Sequence, residues 1–185
     1  MAKTWGKADF SQLQQLRENL AKLEEADMRK FCEETSRELA ARLLALVIPR
    51  TPVGKTVKAP DAKGRMRTVH VGGTLRRGWT ARTETEAQKR SGGISAAEYA
   101  KSLSVEKVGD LYQITVINPV NYASYVEFGR RQTPGRFVPA IGKRLKRGWV
   151  PGQYMLTISE RQLQRIAPDI LEKKLQAFLS EVFNV

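Results

Sequence analysis

Few residues of this chain have the chemistry of a catalytic or metal-binding group. The 185 residues include one histidine, His70, and one cysteine, Cys32. A Ser-His-Asp triad needs a histidine held in an ordered framework, whereas His70 lies in a segment rich in proline, glycine and basic residues. A zinc site needs a cluster of Cys, His or carboxylate ligands, and we find none in the sequence. We therefore expect no enzyme activity, no metal and no cofactor.

One short motif imitates nucleotide-binding chemistry. The sequence TPVGKT, residues 51–56, is similar to the end of a phosphate-binding loop, but that loop needs a glycine five residues before Gly54 and a preceding strand. Position 49 is proline, so an ATPase is rejected. The single Cys32 excludes an intrachain disulfide, which fits a reducing compartment. It lies in a helical pattern, and we expect it to be a small core residue.

The positive charge of the chain is confined to two segments. The net charge is +13, of which residues 49–92 carry +8 (eleven basic, three acidic) and residues 129–149 carry +7 (seven basic, no acidic). The remaining segments are neutral or slightly negative. A basic excess restricted to two loop-like segments favours an anionic partner, either nucleic acid or an acidic protein ring. The alternative is that these charges serve only solubility.

We expect the following residues of those two segments to contact DNA or an acidic partner: Lys55, Lys58, Lys63, Arg65, Arg67, Lys143, Arg144, Lys146 and Arg147. The run GKRLKRGW, residues 142–149, places an aromatic side chain beside basic ones, as in single-strand binders. Its other interpretation is an exposed loop that Trp149 anchors to the body. No helix-turn-helix, zinc-finger or RNP-type pattern is present, so sequence-specific DNA binding is not expected.

Apolar periodicity predicts helices at both ends of the chain. The first pattern runs from Phe10 to Leu23 and the second from Met28 to Val47, as one broken helix or as an αα-hairpin. Pro49 should end the second, because proline disfavours helical geometry in the residue before it. Near the C-terminus, one helix should begin at Met155 and another should open at Pro168.

The middle of the chain predicts strands. Residues 49–73 indicate a long mobile loop or arm, and residues 79–84 alternate enough for a strand. Residues 103–108 and 112–117 also alternate, and Gly109-Asp110 between them is a two-residue turn signal, so we expect a β-hairpin. The order helices, strands, helices predicts an α+β fold with an antiparallel sheet and helices packed on one face.

The predicted organisation is a single domain, residues 1–185. In chain order it comprises N-terminal helices (1–48), a basic loop or arm (49–73), an antiparallel sheet with a short helix (74–128), a basic loop (129–151) and C-terminal helices (152–185). The longest apolar run, Leu43 to Ile48, is far shorter than the ~20 residues of a membrane helix. The first ten residues lack the apolar centre of a secretory signal. We expect no membrane contact.

The stretch NPVNYASYVEFGRR, residues 118–131, resembles the signature of the small tail-completion or neck proteins of long-tailed phages and prophages, a family related to lambda tail protein Z. The resemblance covers most of the chain. Its supporting elements are a split P…TG.LR pattern (52–54 and 73–79), a pF..PA element (137–140) and a G.YML start to a long C-terminal helix (152–183). An insertion between Gly54 and Gly73 departs from the family pattern and leaves residues 54–73 without a counterpart.

The resemblance implies a structural protein of the virion. It would sit at the neck or the head-proximal end of the tail, assembled in the bacterial host cytoplasm. A homo-oligomeric ring of six copies, head-closure or connector proteins, and tail terminator or tube proteins are the implied partners. Alternatives from the residues are a non-specific nucleic-acid-binding protein, or a tail terminator or tube component.

Residues 121–131 have their own physical interpretation. One turn of helix under the sheet, ending at Gly129, would form a rigid corner that aims the second basic loop. Glu127 would pair with Arg130, Arg131 or an arginine of a neighbouring subunit, or remain solvated. The residues that we expect at a subunit or partner interface are Tyr122, Tyr125, Val126, Glu127, Gly129, Arg130, Arg131, Leu75 and Arg76.

Overall fold

The computed structural model describes residues 14, 17–18, 25–61, 63–89, 94–139 and 142–183. Within these ranges the helices are α1 (Glu25–Arg50), α2 (Thr74–Gly78), α3 (Glu84–Gln88), α4 (Ala96–Ser102), α5 (Ala123–Phe128) and α6 (Met155–Phe183). The strands are β1 (Val57–Pro60), β2 (Met66–His70), β3 (Val105–Val108), β4 (Leu111–Ile114), β5 (Gly129–Arg131), β6 (Phe137–Val138), β7 (Lys143–Arg144) and β8 (Trp149–Pro151).

The predicted α+β class is confirmed. The described strands form four two-stranded antiparallel pairs, β1–β2, β3–β4, β5–β8 and β6–β7, instead of one larger sheet. The β3–β4 hairpin has the predicted two-residue turn, since Val108 pairs with Leu111. No helix in the described part of the chain is long and apolar enough to cross a membrane.

Helix α1 provides the centre of the core. Its apolar stripe buries Ala40, Leu44 and Val47, and residues from the middle of the chain and from the start of α6 cover that stripe. The buried apolar residues outside α1 are Leu75, Trp79, Ala81, Ala87, Tyr99, Ala100, Val120 and Met155. The apolar spacing of residues 28–47 predicted the helix, but the stripe that it marked through Leu39, Leu43 and Leu46 lies beside the buried face, because these three residues are only half-buried.

The C-terminal end of α1 is held by polar contacts around Thr51. This residue is fully buried, and its hydroxyl donates to the Val47 carbonyl at 2.8 Å while accepting from Trp79 Nε1 at 2.7 Å. The guanidinium of Arg76 donates to the Thr51 carbonyl at 2.8 and 3.1 Å and to the Pro49 carbonyl at 3.2 Å. Arg76 thus satisfies carbonyl groups that a helix end leaves without intrahelical partners.

Helix α6 packs along α1 over much of its length. Arg50 donates to Ser159 near one end at 3.2 Å, and the rings of Phe31 and Phe178 stack at 4.7 Å near the other. Between these two contacts, Lys174 and Glu38 form an ion pair at 2.6 Å.

The predicted helix break at Pro168 is wrong, because α6 continues through it. A proline inside a helix costs one backbone hydrogen bond and adds a steric clash. The contacts with α1 lie on both sides of Pro168, and they hold both halves of α6 against α1. Helix α1 likewise ends one residue beyond Pro49, and Thr51 N still donates to the Val47 carbonyl at 3.0 Å.

Three predictions for the middle of the chain need correction. The described residues 79–84 do not form the expected strand. Helix α2 ends just before them at Gly78, and Trp79 and Ala81 are buried in the turn region that follows. The loop or arm expected at 49–73 contains the β1–β2 hairpin, and the loop expected at 129–151 contains β5 to β8. Their basic composition concealed short paired strands, whose apolar residues are too few for a clear alternation.

Some elements were missed or cannot be compared. Helix α4 was not predicted, although Ser95 and Glu98 form a capping box at its start, a pattern that the sequence displays. Cys32 is only partly buried on α1. The helix predicted at residues 10–23 lies mostly outside the described residues. Within that range the structure describes Gln14, Arg17 and Glu18, and these three are helical.

The contacts of Thr51 predict a specific loss of stability. Thr51→Val keeps the volume but removes the hydroxyl, so the buried Trp79 Nε1 loses its acceptor. An unsatisfied buried donor costs about 1–3 kcal/mol, and we expect that loss in the free energy of urea unfolding. Thr51→Ser keeps the hydroxyl and should recover most of the difference. Equal stability of the two variants would contradict this account.

The ion pair between α1 and α6 predicts a dependence of stability on pH. The hydrogen bond from Lys174, followed by that from Arg42, lowers the pKa of Glu38 below its ordinary value of 4.5. A carboxylate whose pKa is lower in the folded state than in the unfolded state stabilises the fold at pH values above its unfolded pKa. This stabilisation is lost as the pH falls through the folded pKa. We therefore expect the stability of Lys174→Met to decline less than that of the parent protein between about pH 6 and about pH 3. Identical pH profiles in chemical unfolding would contradict this role.

Candidate interface around residues 121–131

Residues 118–131 form a compact connection between the β3–β4 hairpin and the start of β5. Asn118 anchors it, because its side-chain amide donates to the Leu75 carbonyl at 2.9 Å and its Oδ1 accepts from Val120 N at 3.2 Å. Gly78 lies directly against Asn118, so that any Cβ at position 78 would collide with Oδ1. The segment is thereby fixed to α2 before α5 begins.

Glu127 holds α5 against the start of α6. The residue is 5% exposed, and its carboxylate accepts from Leu156 N and Thr157 N, both at 2.9 Å, and from the Thr157 hydroxyl at 2.8 Å. The first amides of a helix have no intrahelical acceptor, and the helix dipole favours negative charge at this end. Glu127 therefore acts as a cap for α6 that comes from a distant part of the chain.

The arginine partners expected for Glu127 are not the observed ones. In the structure its hydrogen-bond partners are the amides and the hydroxyl of α6, while Arg130 and Arg131 are exposed on β5. The helix start predicted at Met155 is confirmed, but nothing in the sequence indicates that it lies next to Glu127, 29 residues before Leu156. The solvated alternative is also wrong, since Glu127 is buried.

Backbone contacts make this joint tight. The carbonyls of Val126 and Glu127 accept from Gln153 N at 2.8 Å and Tyr154 N at 3.0 Å. A Cβ at Gly129 would lie 2.5 Å from the Val150 carbonyl oxygen, and a Cβ at Gly152 would meet the Glu127 carbonyl oxygen. Both positions therefore exclude any side chain.

Gly129 ends α5 with the positive φ that the sequence predicts. Its φ is 87°, a value that residues with a Cβ rarely adopt. Its ψ is 174°, so the backbone is not left-handed helical but turns directly into β5. The turn aims the basic segment that follows, as expected for a rigid corner.

The outer surface of the joint carries four half-exposed aromatic residues, which we call the aromatic cluster: Tyr125 (55% exposed), Phe128 (59%), Trp149 (50%) and Tyr154 (46%). Tyr125 and Phe128 are three residues apart on α5 and share a helix face. The ring of Trp149 lies against Gly129, and Tyr154 N is bonded to Glu127. Of these four, the sequence identified only Tyr125 as an interface residue. The spacing of Phe128 from Tyr125 was an available signal for a second one.

The other residues expected at an interface have varied positions. Tyr122 and Val126 are half-buried and pack against the core, and burial raises the pKa of Tyr122. Leu75 is a core residue and Arg76 binds the end of α1, so both hold the fold together. Among the nine predicted residues, Tyr125, Arg130 and Arg131 present an exposed surface.

The nine basic residues expected to contact an anionic partner are all exposed, and they form two groups. The β1–β2 hairpin and its approach carry Lys55, Lys58, Lys63, Arg65 and Arg67. The β6–β7 pair and the following residues carry Lys143, Arg144, Lys146 and Arg147.

Asp61 partly neutralises the hairpin group. It lies 3.4 Å from Arg65 Nε and 3.0 Å from Arg67 Nε. Its pKa is lowered, first by the backbone amide of Arg65, then by that of Lys63, and then by the two guanidinium groups. The second group has no such acidic neighbour among the described residues.

Among the described residues there is no cluster of three His, Cys, Asp or Glu side chains that could hold a metal ion. Nothing in the fold tests enzyme activity, and its expected absence stays a prediction.

An α+β body with a rigid corner that displays aromatic and basic side chains is typical of a protein that assembles with others. The family model described as "Bacteriophage HK97-gp10, putative tail-component" matches residues 14–129. The match spans more than half of the chain, and the chain belongs to this HK97-gp10-like family of phage tail components. Neither the curated proteins nor the solved structures gave a match.

Family membership defines the class of the protein. The chain is a structural component of a phage tail, and its place is in the virion. The broader part of the predicted resemblance is confirmed, whereas the narrower relation to lambda tail protein Z is not. The matched region ends at Gly129 and includes α5 and Glu127. The basic segment 130–149 and helix α6 lie outside it.

The cap on α6 predicts a stability effect at Glu127. Glu127→Ala would leave two amides and one hydroxyl at the helix start without their acceptor. We expect a loss of about 1–3 kcal/mol in the free energy of unfolding. Glu127→Gln retains one side-chain oxygen and should lose less.

Glu160→Ala is the matched control, since it removes an exposed carboxylate from the same helix. It should change the free energy of unfolding by less than about 0.5 kcal/mol. A Glu127→Ala protein as stable as the Glu160→Ala protein would refute the capping role.

Proposed function

We propose that this tail component is a neck or tail-completion protein that joins the tail to the head-side connector around the DNA channel. Family membership supports a place in the tail. The aromatic cluster is the observation that supports joining, because it lies on a rigid corner and remains half-exposed in the single chain.

The composition of this corner suits a protein–protein contact. Aromatic residues and arginine are enriched in interface cores and among the residues that dominate binding energy. Here Tyr125 and Phe128 project from one face of α5, and Arg130 and Arg131 follow at once on β5. The Glu127 cap and the close contacts of Gly129 fix the backbone beneath them, which lowers the entropy cost of binding.

The proposed assembly is a ring, of six copies by resemblance to tail-completion proteins. Contacts between like subunits in such a ring are heterologous and cyclic. Head-closure or connector proteins on one side, and tail terminator or tube proteins on the other, would be its neighbours at the neck. The proposed role is structural and not enzymatic, and assembly would take place in the host cytoplasm.

The alternative within the tail is a terminator or tube component. The exposed aromatic cluster fits that role equally well, since both roles require ring contacts. They differ in what the particle lacks when the protein fails. Without a tube or terminator component, tails would be absent or of uncontrolled length, whereas without a joining protein complete heads and complete tails would remain apart.

The test is complementation of a phage or prophage that lacks this gene, with electron microscopy of the particles. Tyr125→Ala with Phe128→Ala should produce full heads separated from finished tails and a loss of infectious titre of at least about a hundredfold, as expected when two anchor residues of an interface are lost. The isolated variant should retain its melting temperature, because both side chains are exposed.

The matched control is Val108→Ala with Leu111→Ala, which removes two exposed apolar side chains from the β3–β4 turn. It should retain infectivity. Joined particles of normal titre from the α5 variant would refute the interface. Tails of abnormal length would favour the terminator or tube role instead.

A further inference from the structure

We propose that residues 129–139 and 142–149, here called the basic lobe, bind the phosphate backbone of duplex DNA without reading its sequence. The lobe contains β5, β6, β7 and the first residue of β8. The proposal does not depend on head–tail joining, because it concerns a surface of the single chain. The proposal distinguishes the basic group of the lobe from that of the β1–β2 hairpin, and it assigns DNA contact to the lobe.

All the charged side chains of the lobe are positive, and all are exposed. Seven of its residues are Lys or Arg and none is Asp or Glu. All seven are exposed: Arg130, Arg131, Arg136, Lys143, Arg144, Lys146 and Arg147. Among the described residues none of these side chains forms an ion pair, and Arg144 donates only to the Gly135 carbonyl, at 2.8 Å.

The β1–β2 hairpin differs in this respect. There Asp61 lies within ion-pair distance of both Arg65 and Arg67. A phosphate that approached these two arginines would have to compete with a carboxylate already in place. The hairpin therefore has less uncompensated charge to offer, although its sequence is also basic.

Backbone hydrogen bonds hold the lobe in a defined shape. Gln132 N donates to the Gly148 carbonyl and Gly135 N to the Leu145 carbonyl, both at 2.8 Å, and Leu145 N returns to the Arg136 carbonyl at 2.9 Å. These bonds continue the β5–β8 and β6–β7 pairs into one folded unit. The positive charges are consequently preorganised, which reduces the cost of binding an extended anion.

One side of the lobe is a groove of about 500 Å³ with an open mouth. Arg130, Arg131 and Arg136 line it, together with the polar side chains of Gln132 and Thr133, and the apolar residues Phe137, Val138, Pro139 and Leu145 line the rest. Arginine, glutamine and threonine are the side-chain types that donate hydrogen bonds to phosphate oxygens. The groove therefore combines charge with directional donors.

The form of the lobe favours DNA over an acidic protein. Duplex DNA carries one negative charge per ~1.7 Å of its axis, so it can engage many separated cations at once. A surface with seven cations and no anion matches such a uniform polyanion. The apolar residues of the groove would also suit an acidic protein, which the second probe below tests. Reading of bases in the major groove uses an α-helix or a two-stranded β-ribbon. The described part of the lobe has no α-helix, and its paired strands are only two or three residues long, so we expect binding that is independent of sequence.

The experiment measures the affinity of the full chain for a labelled duplex of about 30 base pairs as the salt concentration rises from about 50 to about 200 mM. Arg131→Gln with Lys146→Gln and Arg147→Gln removes three exposed charges from the lobe. Each lost phosphate contact lowers the slope of log affinity against log salt by about 0.9. We expect the slope to fall by about 2–3 and the affinity at low salt to fall by at least tenfold.

The control is Lys63→Gln with Arg65→Gln and Arg67→Gln, which removes the same number of charges from the hairpin around Asp61. Its slope should stay within about 0.5 of that of the parent protein. Equal losses in both triple variants would overturn the assignment to the lobe, as would the absence of DNA binding by the parent protein at about 50 mM salt. Circular dichroism must show that both variants remain folded.

A second probe separates DNA from an acidic protein partner. Poly-L-glutamate should bind the parent protein more weakly than DNA at the same concentration of charge. If it binds as tightly, and the lobe variant loses both ligands equally, the surface is a general site for acidic partners and the proposal fails. Neither result affects the test of head–tail joining, which depends on Tyr125 and Phe128.

Discussion

The carboxylate of Glu127 is the contact on which the exposed corner of this protein depends. It joins a short helix in the middle of the chain to the first turn of α6, and α6 packs along α1, the centre of the core. A buried carboxylate is tolerated because three donors surround it. Tyr125 and Phe128 of the aromatic cluster are therefore held in place through the main helices of the molecule, whereas Trp149 is held by the β5–β8 pair.

A second polar centre supports the other end of this arrangement. Thr51 and Arg76 satisfy the C-terminal carbonyls of α1, and Trp79 connects the same point to the core. Arg50 then links α1 to α6 through Ser159, four residues beyond Met155, the first residue of α6. The end of α1 and the start of α6 are thus fixed to each other, and the capped end of α6 is also the end that Glu127 holds.

The sequence predicted the parts of this protein that follow from local periodicity. Helix α1, the β3–β4 turn and the single helical turn at Tyr122 to Phe128 all follow patterns over a few residues, which a reader of the sequence can recognise. The buried face of α1, formed by Ala40, Leu44 and Val47, was not identified. The roles of Glu127 and Arg76 could not be predicted in this way. Their partners lie 25–30 residues away along the chain, and only the tertiary fold shows which helix end is adjacent.

The errors at residues 79–84 and at Pro168 have a related cause. Trp79 and Ala81 alternate as strand residues do, yet both are buried by a turn after α2. Pro168 is a local signal for a helix break, but contacts with α1 on both sides of it determined the outcome. Hydropathy provided no strand signal in residues 129–149, where the described strands are only two or three residues long.

The close contacts of Gly129 and Gly152 have a consequence for how this protein can change over evolutionary time. Neither position can gain a side chain without separating α5 from β8, so the joint itself has little freedom to vary. The side chains of Tyr125, Phe128, Trp149 and Tyr154 at that joint are each about half-exposed. Substitutions there can alter which partner is recognised while the geometry of presentation stays constant. A chain built in this way can follow changes in a neighbouring protein without having to refold its own core.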